Sequence, residues 1–149
     1  MLKIGDALPS FEGLNQDGKT IKSKDLKGKK LVIFFYPKAS TPGCTAEACD
    51  LANRFTELQA QGYFLLGVSA DSIEKQKKFH NKYAFPYDLI ADEERKLCEA
   101  FGVWQLKKFM GKEFMGIVRT TFIFDEQSVC TRVIEKVKTK EAAAQILEG

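Results

Sequence analysis

Two unbroken apolar runs, LVIFFY at 31–36 and YFLLGVS at 63–69, constrain this chain more than any other feature. LVIFFY combines β-branched and aromatic residues, and neither run has the polar alternation of a strand with one wet face. Each therefore predicts a strand covered on both sides. Between them, residues 42–61 carry Ala48, Leu51, Ala52, Phe55 and Leu58 at helical spacing and stop at Gly62, the pattern of a helix packed on a sheet. A strand, a helix and a strand joined over this length imply a crossover between parallel strands.

The rest of the chain builds outward from that unit. Short apolar patches flank Asn15-Gln16-Asp17-Gly18 and predict a hairpin turning at Asp17-Gly18. Ser72 is placed to cap a Lys-rich helix running to Tyr83, Phe85–Ile90 reads as a short extended piece, and Asp92 as the cap of a helix continuing to Phe101. Residues 103–118 read as a loop rich in Gly, Lys and Met, with Met110 and Met115 filling gaps beneath it. TTFIF (120–124) and VCTRVIEKV (129–137) predict an antiparallel pair, and a last helix starts at Thr139. With no repeat, linker or low-complexity segment, residues 1–149 read as one domain. The order of elements is that of an α/β, thioredoxin-like fold with an N-terminal β-hairpin extension and a central mixed sheet flanked by helices. Such a fold does not settle function, which has to come from a site.

Composition removes several classes of function. The chain is 44% apolar with 12 Phe, enough for a core without cross-links. No stretch approaches the roughly 18 apolar residues of a membrane span, and MLKIGDALPSF lacks the order of a signal peptide. The expectation is a cytoplasmic protein with no membrane segment. The lysines of 27–30, 75–78 and 138–140 are scattered rather than gathered into a basic stripe, so nucleic acid is not an expected partner. Four cysteines, Cys44, Cys49, Cys98 and Cys130, are too few and too scattered for the framework of a small secreted domain.

The chemistry is concentrated in TPGCTAEAC, Thr41 to Cys49. Thr41-Pro42 has the form of an N-cap followed by proline at the first helical position, which makes Cys44 the third residue of the helix. Its sulfur then lies near unpartnered N–H groups at the positive end of the helix dipole, a placement that favours thiolate over thiol. Cys49 is five residues on. On an ideal helix their Cα atoms are roughly 8.6 Å apart and their directions about 140° apart, whereas a disulfide wants 4.4 to 6.8 Å. The two thiols can pair only if the first turn and a half of the helix unwinds.

PKASTPGC (37–44) matches the Pro-x-x-x-Thr-x-x-Cys motif of peroxiredoxins, and a second cysteine at position 49 resembles the bacterioferritin comigratory protein, or peroxiredoxin Q, subfamily. FFYPKASTPGCTAEACDL, GVSADS, KYAFPYDLIAD, FGVW and GIVRTTFIFD resemble segments of that family in the same order. The resemblance implies a thiol peroxidase acting on hydrogen peroxide and organic hydroperoxides, with Cys44 as peroxidatic and Cys49 as resolving cysteine. Thr41 and Arg119 match the other polar members of the family's site, and Pro37 the proline that covers the thiolate. It further implies an intramolecular disulfide, recycling by thioredoxin or a similar dithiol reductant, and a monomer. No bound cofactor is expected because the oxygen chemistry occurs at sulfur, and resistance to overoxidation is expected because the Gly-Gly-Leu-Gly plus Tyr-Phe pair linked to easy overoxidation in other peroxiredoxins is not found. Ala39-Ser40 departs from the more polar pair frequent there.

Attack of a thiolate on a peroxide moves negative charge from sulfur onto two oxygens, and nucleophilicity falls as thiol pKa falls, so donors must favour the transition state. The Arg119 guanidinium, the Thr41 hydroxyl and the N–H groups of Gly43 and Cys44 are the candidates. Two other readings are weaker. A thioredoxin-type oxidoreductase needs Cys-x-x-Cys, which is absent, and a zinc module needs four ligands where the chain offers one close cysteine pair, two lone cysteines and one histidine. Cys98 reads as core, Cys130 as a strand residue, and His80 as an exposed or partly packed side chain rather than a base.

Overall fold

A computed structural model describes all residues 1–149. Nine strands are β1 (Glu12–Asn15), β2 (Thr20–Lys22), β3 (Lys30–Phe35), β4 (Tyr63–Ser69), β5 (Asp88–Ala91), β6 (Trp104–Phe109), β7 (Lys112–Ile117), β8 (Thr120–Phe124) and β9 (Cys130–Ile134). Five α-helices are α1 (Pro42–Asn53), α2 (Phe55–Ala60), α3 (Ile73–Tyr83), α4 (Lys96–Ala100) and α5 (Ala142–Leu147).

Seven strands form one mixed sheet in the order β2-β1-β5-β4-β3-β8-β9. The two predicted buried runs, β3 and β4, are parallel neighbours at its centre, paired from Lys30↔Tyr63 to Phe35↔Val68. β5 continues the parallel set beside β4, and β8 runs antiparallel on the other side of β3. The reason for the unbroken apolar run is visible in β3. Val32, Phe34 and Tyr36 enter one core layer with Cys44, Ala48, Leu51, Phe79 and Ile146. Leu31, Ile33 and Phe35 enter the opposite layer with Leu66, Val68, Leu97, Phe101 and Phe122. Period-2 alternation thus divides one hydrophobic word between two cores. The predicted α/β, thioredoxin-like architecture is the observed one.

The turns follow local chemistry. Asn15 Oδ1 accepts from the N–H groups of Asp17 and Lys19, and Gly18 takes φ +74°, which closes the β1–β2 hairpin at the predicted place. β1 then pairs antiparallel with β5 and extends the sheet. Ser72 Oγ accepts from Lys75 N–H as the cap of α3. The Asp92 carboxylate accepts from the N–H groups of Leu97 and Cys98. It caps as predicted but from farther upstream, because α4 begins only at Lys96.

Three expectations change. The helix predicted over 42–61 is broken at Arg54, which leaves helical geometry (ψ +19°) and donates through Nε and Nη2 to Glu57. The predicted 103–118 loop is instead a β6–β7 hairpin, a separate two-stranded ribbon in register from Trp104↔Ile117 to Phe109↔Lys112. It escaped sequence reading because apolar side chains occupy both of its faces, so no period-2 burial pattern marks it. Met110 and Met115 fill no gap beneath a loop, being 86% and 49% exposed on that ribbon.

Candidate active site

Cys44 is the third residue of α1, with Pro42 first, as the sequence predicts. Thr41 occupies the N-cap position in extended geometry, but its side chain does not cap: Oγ1 donates to Lys38 O at 2.7 Å, and it is the Thr41 carbonyl that receives Thr45 N–H at 2.8 Å. The hydroxyl hydrogen is therefore committed to the preceding loop, and its lone pairs remain for an incoming donor. The first N–H groups of α1, including those of Gly43 and Cys44, have no acceptor within the helix.

Arg119 lies in the short link between β7 and β8 and reaches the start of α1 across 75 residues of chain. Its Nη2 donates to Cys44 Sγ at 3.4 Å while Nη1 donates to Glu47 Oε1 at 2.7 Å. Gly43 leaves room for this approach, since a Cβ there would lie 3.2 Å from Nη2, closer than an ordinary contact. Burial opposes the guanidinium charge, but the Glu47 carboxylate and the Cys44 sulfur outweigh it and raise the Arg119 pKa further.

Glu47 was missed in the sequence. It is fully buried one turn after Cys44, and its Oε2 has no hydrogen-bond partner. Burial pushes its carboxyl up to about 7 against the opposing pull of Arg119. The signal was present: position 47 falls on the stripe of Cys44, Ala48 and Leu51, where a charged residue demands a buried partner.

The loop before α1 is tied down from below. The Asp71 carboxylate accepts from Ala39 N–H and Ser69 Oγ, both at 2.7 Å. Ala39 is buried and Ser40 takes φ +65°. Pro37, partly buried, borders a cleft of about 360 Å³ shared with Lys38, Asp71, Trp104, Lys107 and Phe114. Lys107 donates to Ile117 O at 2.9 Å, and burial, then the Arg119 charge, lowers its pKa.

Cys49 is half-buried against the layer that contains Cys44, and burial raises its pKa. Both thiols are free on an intact helix. Just beyond Cys44, Tyr87 Oη donates to Ala48 O at 2.6 Å, and Asp50 Oδ2 accepts from Ala143 N–H at 2.9 Å. Cys98 and Cys130 are buried in the opposite layer, in α4 and β9, and His80 is partly buried with Nε2 3.0 Å from Tyr87 O. No three His, Cys, Asp or Glu side chains gather as a metal site would require.

A thioredoxin-fold sheet that presents a cysteine at a proline-started helix, with an arginine on its sulfur, fits the thiol peroxidases of the peroxiredoxin class. The AhpC/TSA family model matches residues 4–133, and the chain belongs to that family. Within it the chain falls in the Bcp, or peroxiredoxin Q, group. It is 46% identical to peroxiredoxin Bcp of Bacillus subtilis over 99% of this chain and 94% of that protein. It is 41% identical to peroxiredoxin Bcp of Escherichia coli K12 over 93% and 88%. Among solved structures, a mutant of Xylella fastidiosa PrxQ superposes with a TM-score of 0.93 at 27% identity, covering 99% and 94%. The bacterioferritin comigratory protein of Xanthomonas campestris gives 0.88 at 33%, covering 96% of each chain. A peroxide substrate and a reductant follow from this membership. No helix is long and apolar enough to cross a membrane.

Proposed function

We propose that Cys44 is the peroxidatic cysteine, that Cys49 resolves it, and that the protein reduces hydrogen peroxide and organic hydroperoxides at the expense of thioredoxin or a similar dithiol. The observation that carries this reading is the Arg119 guanidinium on Cys44 Sγ at 3.4 Å, packed against Gly43, where a Cβ would lie 3.2 Å from Nη2. The Cys44 thiolate attacks one peroxide oxygen, the O–O bond breaks, and the other oxygen leaves with the electron pair and is protonated to water or alcohol. Arg119 and the Gly43 and Cys44 N–H groups receive the charge that moves onto oxygen, and the Thr41 lone pairs accept from the peroxide O–H. Pro37 covers the loop side of the pocket.

Attack leaves sulfenic acid on Cys44. The Cys49 thiol displaces its hydroxyl as water and forms the Cys44–Cys49 disulfide, a step that requires the start of α1 to unwind. A dithiol reductant then takes up the disulfide by exchange, its own two sulfurs being oxidised. A resolving thiol on the same chain makes a partner subunit unnecessary, so the working unit is a monomer, and a reducing cytoplasm supplies the dithiol. Organic hydroperoxides are included because the Xanthomonas campestris relative has an alkyl peroxide reduction activity.

The test is a disulfide peptide map after one equivalent of hydrogen peroxide, comparing the reduced protein with its Cys49→Ser variant. A Cys44–Cys49 bond in the former and trapped sulfenic acid at Cys44 in the latter is the expected result. Alkylation of Cys44 no faster than that of Cys98 and Cys130, with or without peroxide, would sink the reading.

A further inference from the structure

Of the eight large hydrophobic side chains that the whole chain leaves exposed, five lie on the β6–β7 hairpin: Leu106, Phe109, Met110, Phe114 and Met115. The hairpin belongs to no larger sheet. Its turn is locally unfavourable. Met110 takes φ +51° and Gly111 φ +78°, a pair of left-handed residues for which Asn-Gly is the usual choice. A methionine there bears backbone strain and is also 86% exposed. Neither hydrophobic burial nor turn chemistry explains it, and residues held against local preference point to a function outside the fold.

The register says what kind of partner fits. Leu106 pairs with Met115, which sets both on one face of the ribbon. Lys107 pairs with Phe114 and Phe109 with Lys112, which sets those on the other. Apolar side chains thus project from both faces and from the apex. A flat or concave protein surface covers one face of a ribbon and leaves the other wet, whereas a fluid apolar medium surrounds both. Lysines lie on both faces: Lys108, paired with Glu113 at 3.5 Å, on the first, and on the second Lys112 together with Lys107, whose ammonium donates to Ile117 O at 2.9 Å. Glu113 is the sole acidic residue, so three lysines less one glutamate leave the hairpin positive. An apolar wedge edged with cations is complementary to an anionic bilayer surface, where lysine stems lie along the apolar zone and their ammonium groups reach the headgroups.

We propose that the tip of the β6–β7 hairpin, Phe109 to Gly111 with its flanking Leu106, Phe114 and Met115, inserts into the surface of an anionic membrane leaflet and holds the protein there as a reversible peripheral contact. The hairpin leads through Val118 into Arg119, so docking sets the Cys44 pocket near the lipid surface. The inference does not depend on which cysteine does the chemistry.

The experiment is co-sedimentation of the full chain with vesicles of phosphatidylcholine alone or mixed with phosphatidylglycerol, at low and high salt, alongside solution mass measured without lipid. Binding to the anionic vesicles, lost at high salt and weak on phosphatidylcholine, is the expected result. Phe109→Ser combined with Met110→Asn lowers binding by about tenfold or more, from lost apolar burial. Lys108→Gln lowers it by about fivefold, as expected for one basic residue at such a surface. Asparagine suits the left-handed turn position, so the double variant keeps the fold, checked by an unchanged melting temperature. Three results overturn the proposal. Binding to neither vesicle leaves the hairpin to a protein partner. A dimer without lipid that the double variant dissociates assigns it to a second copy. Anionic binding unchanged in the double variant assigns attraction to lysines elsewhere.

Discussion

The Tyr87 hydroxyl holds the Ala48 carbonyl at 2.6 Å, inside the stretch of α1 that separates Cys44 from Cys49. Both partners are buried, so the hydroxyl pins a backbone atom that must move if the two sulfurs are to meet. Tyr87→Phe removes one oxygen and leaves the ring stacked on Phe85. We predict a loss of about 1 kcal/mol in stability by urea unfolding. Where opening of the helix limits resolution, the Cys44–Cys49 disulfide then forms up to about fivefold faster. Stopped-flow peroxide consumption in the first turnover stays unchanged, and a slower disulfide step would contradict the pinning role.

Glu47 gives the site a pH dependence. Its folded carboxyl is raised from 4.5 to about 7 by burial, so the folded state keeps a proton that the unfolded chain has released. Stability associated with this group is present below about pH 4.5 and is lost as pH rises toward 7. Relative to Glu47→Gln, the wild type should therefore weaken between those limits by roughly 3 kcal/mol at most. The same ionisation changes how much of the Arg119 charge is neutralised by its partner. The pH profile of peroxide consumption should carry an inflection near about 7 that Glu47→Gln removes.

Gly43→Ala separates catalysis from folding. Alanine is the better helix former by roughly 0.5–1 kcal/mol, and Gly43 is not among the glycines with positive φ. The added methyl meets Arg119 Nη2 at 3.2 Å and displaces it from the sulfur. The melting temperature should hold or rise while the peroxide rate falls on the order of tenfold, since small misplacements of a reacting group are costly. An unaltered rate would show that the guanidinium accommodates the methyl.

Arg119→Met removes the donor that bridges Glu47 and Cys44. A rate loss of about 10²–10³ is expected from the charge it stabilises, measured by competition for hydrogen peroxide with a second peroxidase. The variant also leaves Glu47 buried without a cation, so it should lose more stability at pH 8 than at pH 5. Equal losses at the two pH values would mean that Glu47 escapes to solvent.

The sequence by itself determined the central sheet and the placement of Cys44. Both rest on short-range chemistry: unbroken apolar strands, period-2 division of β3 into two layers, a hairpin turn at Asp17-Gly18, and a Thr-Pro start that puts Cys44 third in its helix. Arg119 entered the reading only through resemblance, because nothing local distinguishes it from a surface arginine. Its place against Cys44 Sγ depends on β8 pairing with β3, which carries the β7–β8 link to the start of α1. The burial of Glu47, the redirected hydroxyl of Thr41 and the Tyr87 pin were also decided by tertiary structure, since each depends on a partner that sequence distance conceals. The β6–β7 hairpin was lost for the opposite reason. Strand reading depends on at least one face being buried, and this ribbon buries neither at its tip.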